Sequence, residues 1–325
     1  MIMYINSTGM MKWLAPLLLA TIFSSPTSAC QNYPCKPIRV VVPSEPGGGI
    51  DGMARILAQV LTVRLKAEVA VMNKPGAFGA VGTVWAANAP DDGYTLVVNG
   101  LSHVSTPALA ERAAYDPIED FVPIAKVAEA PHVLLVNSDL PANSLAELTR
   151  LARQRPQGVT FAAAGGATSF AAESFKQRAG GRWIHVPYKG SAQALRSTMT
   201  GETDLIFVAA QLAQTALDGG RVRALAVSHP RRVDYLPTVP TLRELGYDDV
   251  DTSQWYGIFA PAGTPATVVD IVDKAIRQEL VPGGLLQKYI QTNRMEPAYL
   301  SKQDFRVFLQ EQTRRIKQLN IDLNN

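Results

Sequence analysis

Small, polar and acidic residues gather at two places where a β-branched run gives way to a helix-forming run: VVVPSEPGGGIDG at 40–52 and FAAAGGATSF at 161–170. Ser44, Glu45, Pro46, Gly47 and Gly48 form the first turn, with Asp51 just inside the helix that follows; Gly165, Gly166, Thr168, Ser169 and Phe170 lie in the second. A helix begins with N–H groups that have no intrahelical acceptor and with the positive end of its dipole, so a glycine-rich approach to a helix start suits an anion. Two such ends facing each other would clamp one. Asp51 has two readings, a carboxylate stabilised by the helix end or an acceptor for a donor on the ligand. Tyr188, in HVPYKGSAQ at 185–193, is either core or the wall of a polar pocket. A third small-residue turn, Gly76 to Gly82, leads into another helix and suits either ligand approach or close packing on a sheet.

Other chemistries lack their residues. Gly47, Gly49 and Gly52 match GxGxxG, but Pro43 and Pro46 lengthen the turn, and the next strand ends in Met72 and Asn73 instead of an acid for a ribose. No GxxxxGK[ST] phosphate loop occurs, and the four histidines, His103, His132, His185 and His229, lack metal-pair spacing. Ser102 precedes His103, yet adjacent side chains point differently and no GxSxG elbow is present. We therefore expect no catalytic set, no metal and no cofactor. The formal charge of +3, without a basic cluster interleaved with aromatics, gives nucleic-acid binding no support.

The elements that must position these turns alternate strand and helix, which argues α/β with mainly parallel sheets. Strands are expected at 38–42, 69–73, 95–99, 132–137, 159–164, 205–210, 223–228 and 255–261. Ser144 with Glu147, Thr241 with Glu244, and Ser301 with Asp304 have capping-box spacing, and Thr264 before Pro265 is a further expected start. A final helix at 302–319 places Phe305, Phe308, Leu309, Ile316 and Leu319 on one docked face. With 325 residues, 47% of them hydrophobic and 18% charged, the chain is globular and long enough for two domains. The segments 130–137 and 255–263 are extended and apolar, and are expected as paired hinge strands. They divide the chain into a discontinuous first lobe, 30–131 plus 254–325, and a second lobe, 132–253, with a ligand cleft between. Ahead of them Lys12 and the apolar run 13–23, followed by small residues to Ala29, read as an export signal too short to span a bilayer. Cleavage near Ala29 leaves Cys30 first, open either to lipid anchoring or to a disulfide with Cys35, the only other cysteine. Thr27, where a lipid box has a Leu-like residue, argues against the anchor.

Six segments in order resemble a known family, the substrate-binding receptors of tripartite tricarboxylate transporters, often called Bug receptors. They are YPCKPIRVVVPSEPGGGIDGMAR, NKPGAFGAVGTVWAANAPDDGYTL, PIEDFVPIAKVA, HVPYKGSAQALRSTMTGETDLIF, RVRALAVSHPRRVDYLPTVPTLRELGY and WYGIFAPAGTP. The resemblance implies a monomeric, two-lobed periplasmic binding protein of type II-like fold. In it two crossing strands form the hinge, and the lobes close on a small carboxylate that is delivered to the permease subunits of the membrane transporter. It also implies a first-lobe loop at Ser44 to Asp51 with the turn Ala77, Phe78, Gly79 nearby. Second-lobe contacts are implied at Gly165 to Phe170, with Tyr188, Asp204 and Ala209 lining the cleft. The chain departs from the family at Ser44 and Glu45, where an aromatic or apolar residue is frequent, and at Phe170, where a His is common. Glu45 argues for a ligand less charged than citrate: an aromatic monocarboxylate, its amide, or an amino acid whose ammonium meets Glu45 or Asp51. A sensory module signalling through a membrane partner is the alternative role, followed by an exported enzyme.

Overall fold

A computed structural model of the protein describes residues 32–110, 112–247 and 252–318. The export signal, the lipid-anchor question at Cys30 and the docking of Leu319 lie outside the described residues. Cys35 is disulfide-bonded.

The chain runs through β1 (Ile38–Val42), α1 (Gly49–Leu65), β2 (Val69–Asn73), α2 (Ala80–Ala87), β3 (Thr95–Gly100), α3 (Ser102–Leu109) and β4 (Phe121–Ala130). It crosses at Pro131 into β5 (His132–Asn137), α4 (Leu145–Gln154), β6 (Val159–Ala163), α5 (Gly165–Ala179), β7 (Trp183–Pro187), α6 (Ser191–Thr200), β8 (Leu205–Ala209), α7 (Ala210–Asp218) and β9 (Val222–Ser228). It then returns through β10 (Gln254–Pro261), α8 (Ala266–Arg277), α9 (Leu285–Thr292), β11 (Glu296–Leu300) and α10 (Lys302–Gln318). Two sheets result, one ordered β11-β4-β10-β3-β1-β2 and the other β7-β6-β8-β5-β9. Each is packed on both faces by apolar clusters, so the molecule is a two-lobed α/β protein.

The sheets are mixed where mainly parallel ones are expected. Parallel pairing holds for β1 with β2 and β3, and for β6 with β7 and β8. Strands β5 and β10 meet both neighbours antiparallel, as does β4. The reason is connectivity: parallel neighbours need a crossover helix, whereas β5 and β10 enter their sheets directly from the other lobe and β4 leaves directly toward it. The two crossings lie side by side, with Gln254 opposite Ala130 in register and His132 Nδ1 2.6 Å from the Thr252 carbonyl oxygen. The strand paired with β10 at the hinge is thus the end of β4; β5 joins the other sheet.

All eight expected strands form, within a residue at their ends. The unforeseen ones are β4, β7 and β11. Strand β4 carries Pro123, Lys126 and Glu129, and its register with β10 is broken by irregularities, so periodicity does not mark it. The box at Ser144 caps α4, with Glu147 N–H donating to Ser144 Oγ (3.2 Å) and Asn143 N–H to Glu147 Oε2 (2.7 Å). Thr241 and Glu244 bond reciprocally, Thr241 N–H donating to Glu244 Oε2 and Glu244 N–H to Thr241 Oγ1, but around a single 3₁₀ turn, Arg243–Leu245. Ser301 Oγ donates to Asp304 Oδ2 (2.6 Å) ahead of α10. Helix α8 starts one residue later than expected, with Pro265 as its N-cap. Helix α10 buries Phe305, Leu309 and Ile316 in an aromatic cluster with Trp255 and Phe259.

Candidate functional site

The loop after β1 is built around Asp51. Gly47 N–H and Arg55 Nε each donate to its Oδ2, at 3.0 and 2.9 Å, and Asn73 Nδ2 donates to its Oδ1 at 2.9 Å. Asn73 also donates to the Ser44 carbonyl at 3.1 Å, which ties the turn to the end of β2. Burial alone would raise the Asp51 carboxyl, but the Arg55 guanidinium, the Gly47 amide and the Asn73 amide together hold it below the ordinary carboxylate value. Asp51 is 3% exposed and is not among the cavity-lining residues. Of its two readings the structure supports the helix-end carboxylate.

Beside this loop the chain runs through Gly76, Ala77, Phe78 and Gly79 with φ of +126°, +45°, +53° and +95°. Positive φ costs an L-residue energy and persists where neighbours hold it. Here Thr106 Oγ1 donates to the Phe78 carbonyl (2.9 Å), and Thr83 Oγ1 to that of Gly79 (2.8 Å). Gly82 is the close-packed glycine of the segment, since a Cβ there would stand 2.5 Å from the Lys74 carbonyl oxygen and 2.9 Å from Pro43 Cα.

Between the lobes lies a cavity of about 570 Å³, within the range of small-molecule sites. The first lobe lines it with Pro43–Pro46, Gly48–Ile50, Pro75–Gly79 and Ser102, and the second with Ala164, Ala167, Thr168, Tyr188–Ala192, Ala209 and Leu212. His132, Gln254 and Tyr256 contribute from the crossing strands. The N-caps of α1, α5, α6 and α7 are Gly48, Ala164, Gly190 and Ala209, none of which supplies a side-chain cap. All four line this cavity. Uncapped helix starts from both lobes therefore give it backbone N–H groups and positive dipole ends. Two lining side chains, Ser44 and Tyr188, also have buried hydroxyls without a hydrogen-bond partner among the described residues, and such groups are costly unless a partner reaches them.

The structure brings together Ser44, Glu45, Pro46, Gly48, Ala77, Phe78, Gly79, Thr168, Tyr188 and Ala209. Gly165 and Gly166 begin α5, between the lining residues Ala164 and Ala167. Gly47 belongs to the loop but is not a lining residue. Three expected contacts are elsewhere. Asp204 precedes β8 while Ala209 ends it, which separates the two by about 16 Å at strand rise; its carboxylate pairs with Arg155 Nη1 (3.0 Å) and accepts from Thr160 N–H (2.7 Å) and Oγ1 (2.9 Å). Ser169 is wholly buried, and Phe170, 3% exposed, packs in the aromatic cluster of the other lobe. Both point away from the cavity because a helix start turns successive side chains by about 100°.

Residues that sequence reasoning missed are His132, Gln254, Tyr256, Ser102 and Lys189. The first three sit on strands whose hinge position was legible, but only tertiary structure turns those strands toward the cleft. Ser102 Oγ donates to Asn99 Oδ1 (2.8 Å), and His103 is buried against Phe259 (ring centroids 4.1 Å) with Nε2 2.9 Å from the Pro117 carbonyl. Burial pushes the His103 imidazole down to about 4. The pair is not a nucleophile with its base.

Residues 53–324 match the family described as "tripartite tricarboxylate transporter family receptor". Protein BugT of Bordetella pertussis is 33% identical over 293 residues, spanning 87% of this chain and 88% of that protein. Among solved structures, R. palustris Rpa4515 with adipate has a TM-score of 0.83 at 29% identity, over 89% of this chain and 97% of that one. MatC (Rpa3494) from Rhodopseudomonas palustris with bound malate has a TM-score of 0.83 at 26% identity, over 89% of this chain and 100% of that one.

Proposed function

This chain belongs to the tripartite tricarboxylate transporter receptor family, and from that premise we propose that its cavity holds a small carboxylate for delivery to a membrane permease. It is a solute-binding receptor. The observation that carries the ligand class is the set of four uncapped helix starts, Gly48, Ala164, Gly190 and Ala209, on one cavity. A carboxylate there accepts from backbone amides and neutralises dipole ends without needing a basic side chain, and the hydroxyls of Ser44 and Tyr188 add donors. The structures with adipate and malate give the same ligand class in related chains.

In this reading the lobes are 30–131 plus 254–325 and 132–253, and they move about the crossings at Pro131 and Gln254. Closure follows because the ligand bonds to both lobes only when they meet, so its differential affinity shifts the equilibrium. The protein works as a monomer in the periplasm after signal removal, and returns its ligand chemically unchanged. Calorimetry and small-angle scattering of the mature protein with a panel of mono-, di- and tricarboxylates test this. One panel member should bind, compact the protein and be recovered intact by NMR; a panel without any binder, or a converted acid, refutes it.

A further inference from the structure

Among the described residues the charge of the cavity wall is carried by two side chains, Glu45 and Lys189, apart from the buried ring of His132. They are not equivalent. Lys189 is exposed, whereas Glu45 is half-buried. The Glu45 carboxylate has no hydrogen bond or ion pair among the described residues, and its stem is held between the lobes. A Cβ built at Gly190 would lie 3.6 Å from Glu45 Cβ and 3.7 Å from its Cγ, ordinary contact distances. Glu45 therefore reaches from the first-lobe loop to the N-cap of α6, where a closed ligand must sit. Asp51, the other acid of the loop, already accepts from Gly47, Arg55 and Asn73 and does not line the cavity.

An anion held at the helix starts leaves a second negative group beside Glu45 facing a like charge between the protein walls of the cleft. That repulsion is poorly screened compared with the same pair on the surface. An ammonium at the same place supplies the donor that the Glu45 carboxylate lacks. We propose that Glu45 is a specificity-determining residue that selects a zwitterion, one carboxylate plus one ammonium, over a dicarboxylate of matching length. The proposal rests on the receptor reading above. The carboxylate lies on the uncapped helix starts of α1, α5 and α6, and the ammonium donates to Glu45. Lys189 is exposed, so its charge is solvated and sets no comparable preference.

The test uses matched pairs that differ by exchange of one carboxylate for an ammonium: succinate with β-alanine, glutarate with 4-aminobutyrate, adipate with 5-aminopentanoate, together with the common α-amino acids. Affinities are measured by calorimetry on the mature wild type, on Glu45→Gln and Glu45→Ala, and on Glu202→Gln as the control. Wild type should favour the zwitterion of whichever pair it binds, or an α-amino acid, by about tenfold or more, a difference of about 1.4 kcal/mol. Both Glu45 substitutions should cut that preference about tenfold, and Glu202→Gln, the same exchange at an exposed position that does not line the cavity, should leave it. A wild type that favours a dicarboxylate, or Glu45 variants that keep the wild-type ratio, overturns charge selection while the receptor reading stands. If none of these compounds binds, this inference is overturned, and the wider carboxylate panel then decides the receptor reading separately. Because the wild-type ratio is read without any substitution, a variant that misfolds does not rescue the proposal.

Discussion

Asp51 changes from a candidate ligand contact in the sequence to the keystone of a loop in the structure, and its protonation has a consequence for stability. Its carboxyl is held below the ordinary value in the fold by Arg55, Gly47 and Asn73 against the raising effect of burial. A depressed carboxylate contributes stability that is fully present above its unfolded pKa, about 3.9, and that is lost as pH falls through the folded value. Asp51→Asn should therefore lower stability by about 1–3 kcal/mol at pH 7, the cost of disrupting a buried hydrogen-bonded acceptor. The deficit should shrink as pH falls below about 4, where the unfolded chain takes up the proton that the folded carboxylate resists. Urea midpoints of both proteins at pH 7 and pH 3 check this, and a pH-independent gap would refute the assignment. The donors were not legible at this scale: Asn73 lies 22 residues away in sequence and reaches Asp51 only because β1 and β2 are paired. Only Arg55, one helical turn along, follows from the sequence spacing.

At the scale of elements, helix starts divide by what satisfies them. Helix α4, away from the cavity, has Ser144 and Glu147 to close its first turn. The starts on the cavity have glycine or alanine at the cap and no side chain that closes them. Ser144→Ala should accordingly cost about 1 kcal/mol of stability, as N-cap losses do, with ligand affinity unchanged. Gly190→Val should do the reverse. Gly190 has extended backbone, φ −151°, that any residue adopts, so folding is retained, but a branched side chain would press on Glu45 and obstruct the start of α6. Affinity should fall tenfold or more, about 1.4 kcal/mol. Calorimetry and thermal melts of the two variants read both effects, and a Gly190→Val protein with wild-type affinity would remove α6 from the site. The capping pattern was readable in the sequence, since Ser144 and Glu147 carry their own spacing rule, as were the glycine turns before α1 and α5. The start of α7 was not, because Ala209 has no side chain that signals a cap.

At the scale of the molecule, the lobes share packing as well as a ligand. Helix α5 is connected within the second sheet, between β6 and β7, yet its Phe170 is 3% exposed in a cluster with Val104, Trp255, Phe259 and Phe305. These belong to elements around the first sheet. Phe170→Ala should cost about 3–5 kcal/mol, the usual loss for a buried aromatic. It should also populate more open forms, which lowers apparent affinity in proportion to the closed fraction lost. Urea unfolding and the radius of gyration without ligand test it; a stable variant of unchanged radius would show that the contact does not join the lobes. The sequence by itself determined the α/β alternation, most strands, the capped helices and the two helix-start turns, because each follows from side-chain periodicity or from a rule acting over a few residues. Tertiary structure alone decided that Asp204 faces Arg155 at the far end of β8, that Phe170 is a packing residue, and that His132, Gln254 and Tyr256 reach the cleft. Those outcomes depend on which strands become neighbours and how the two sheets face each other, and both are set by contacts between residues far apart in the chain.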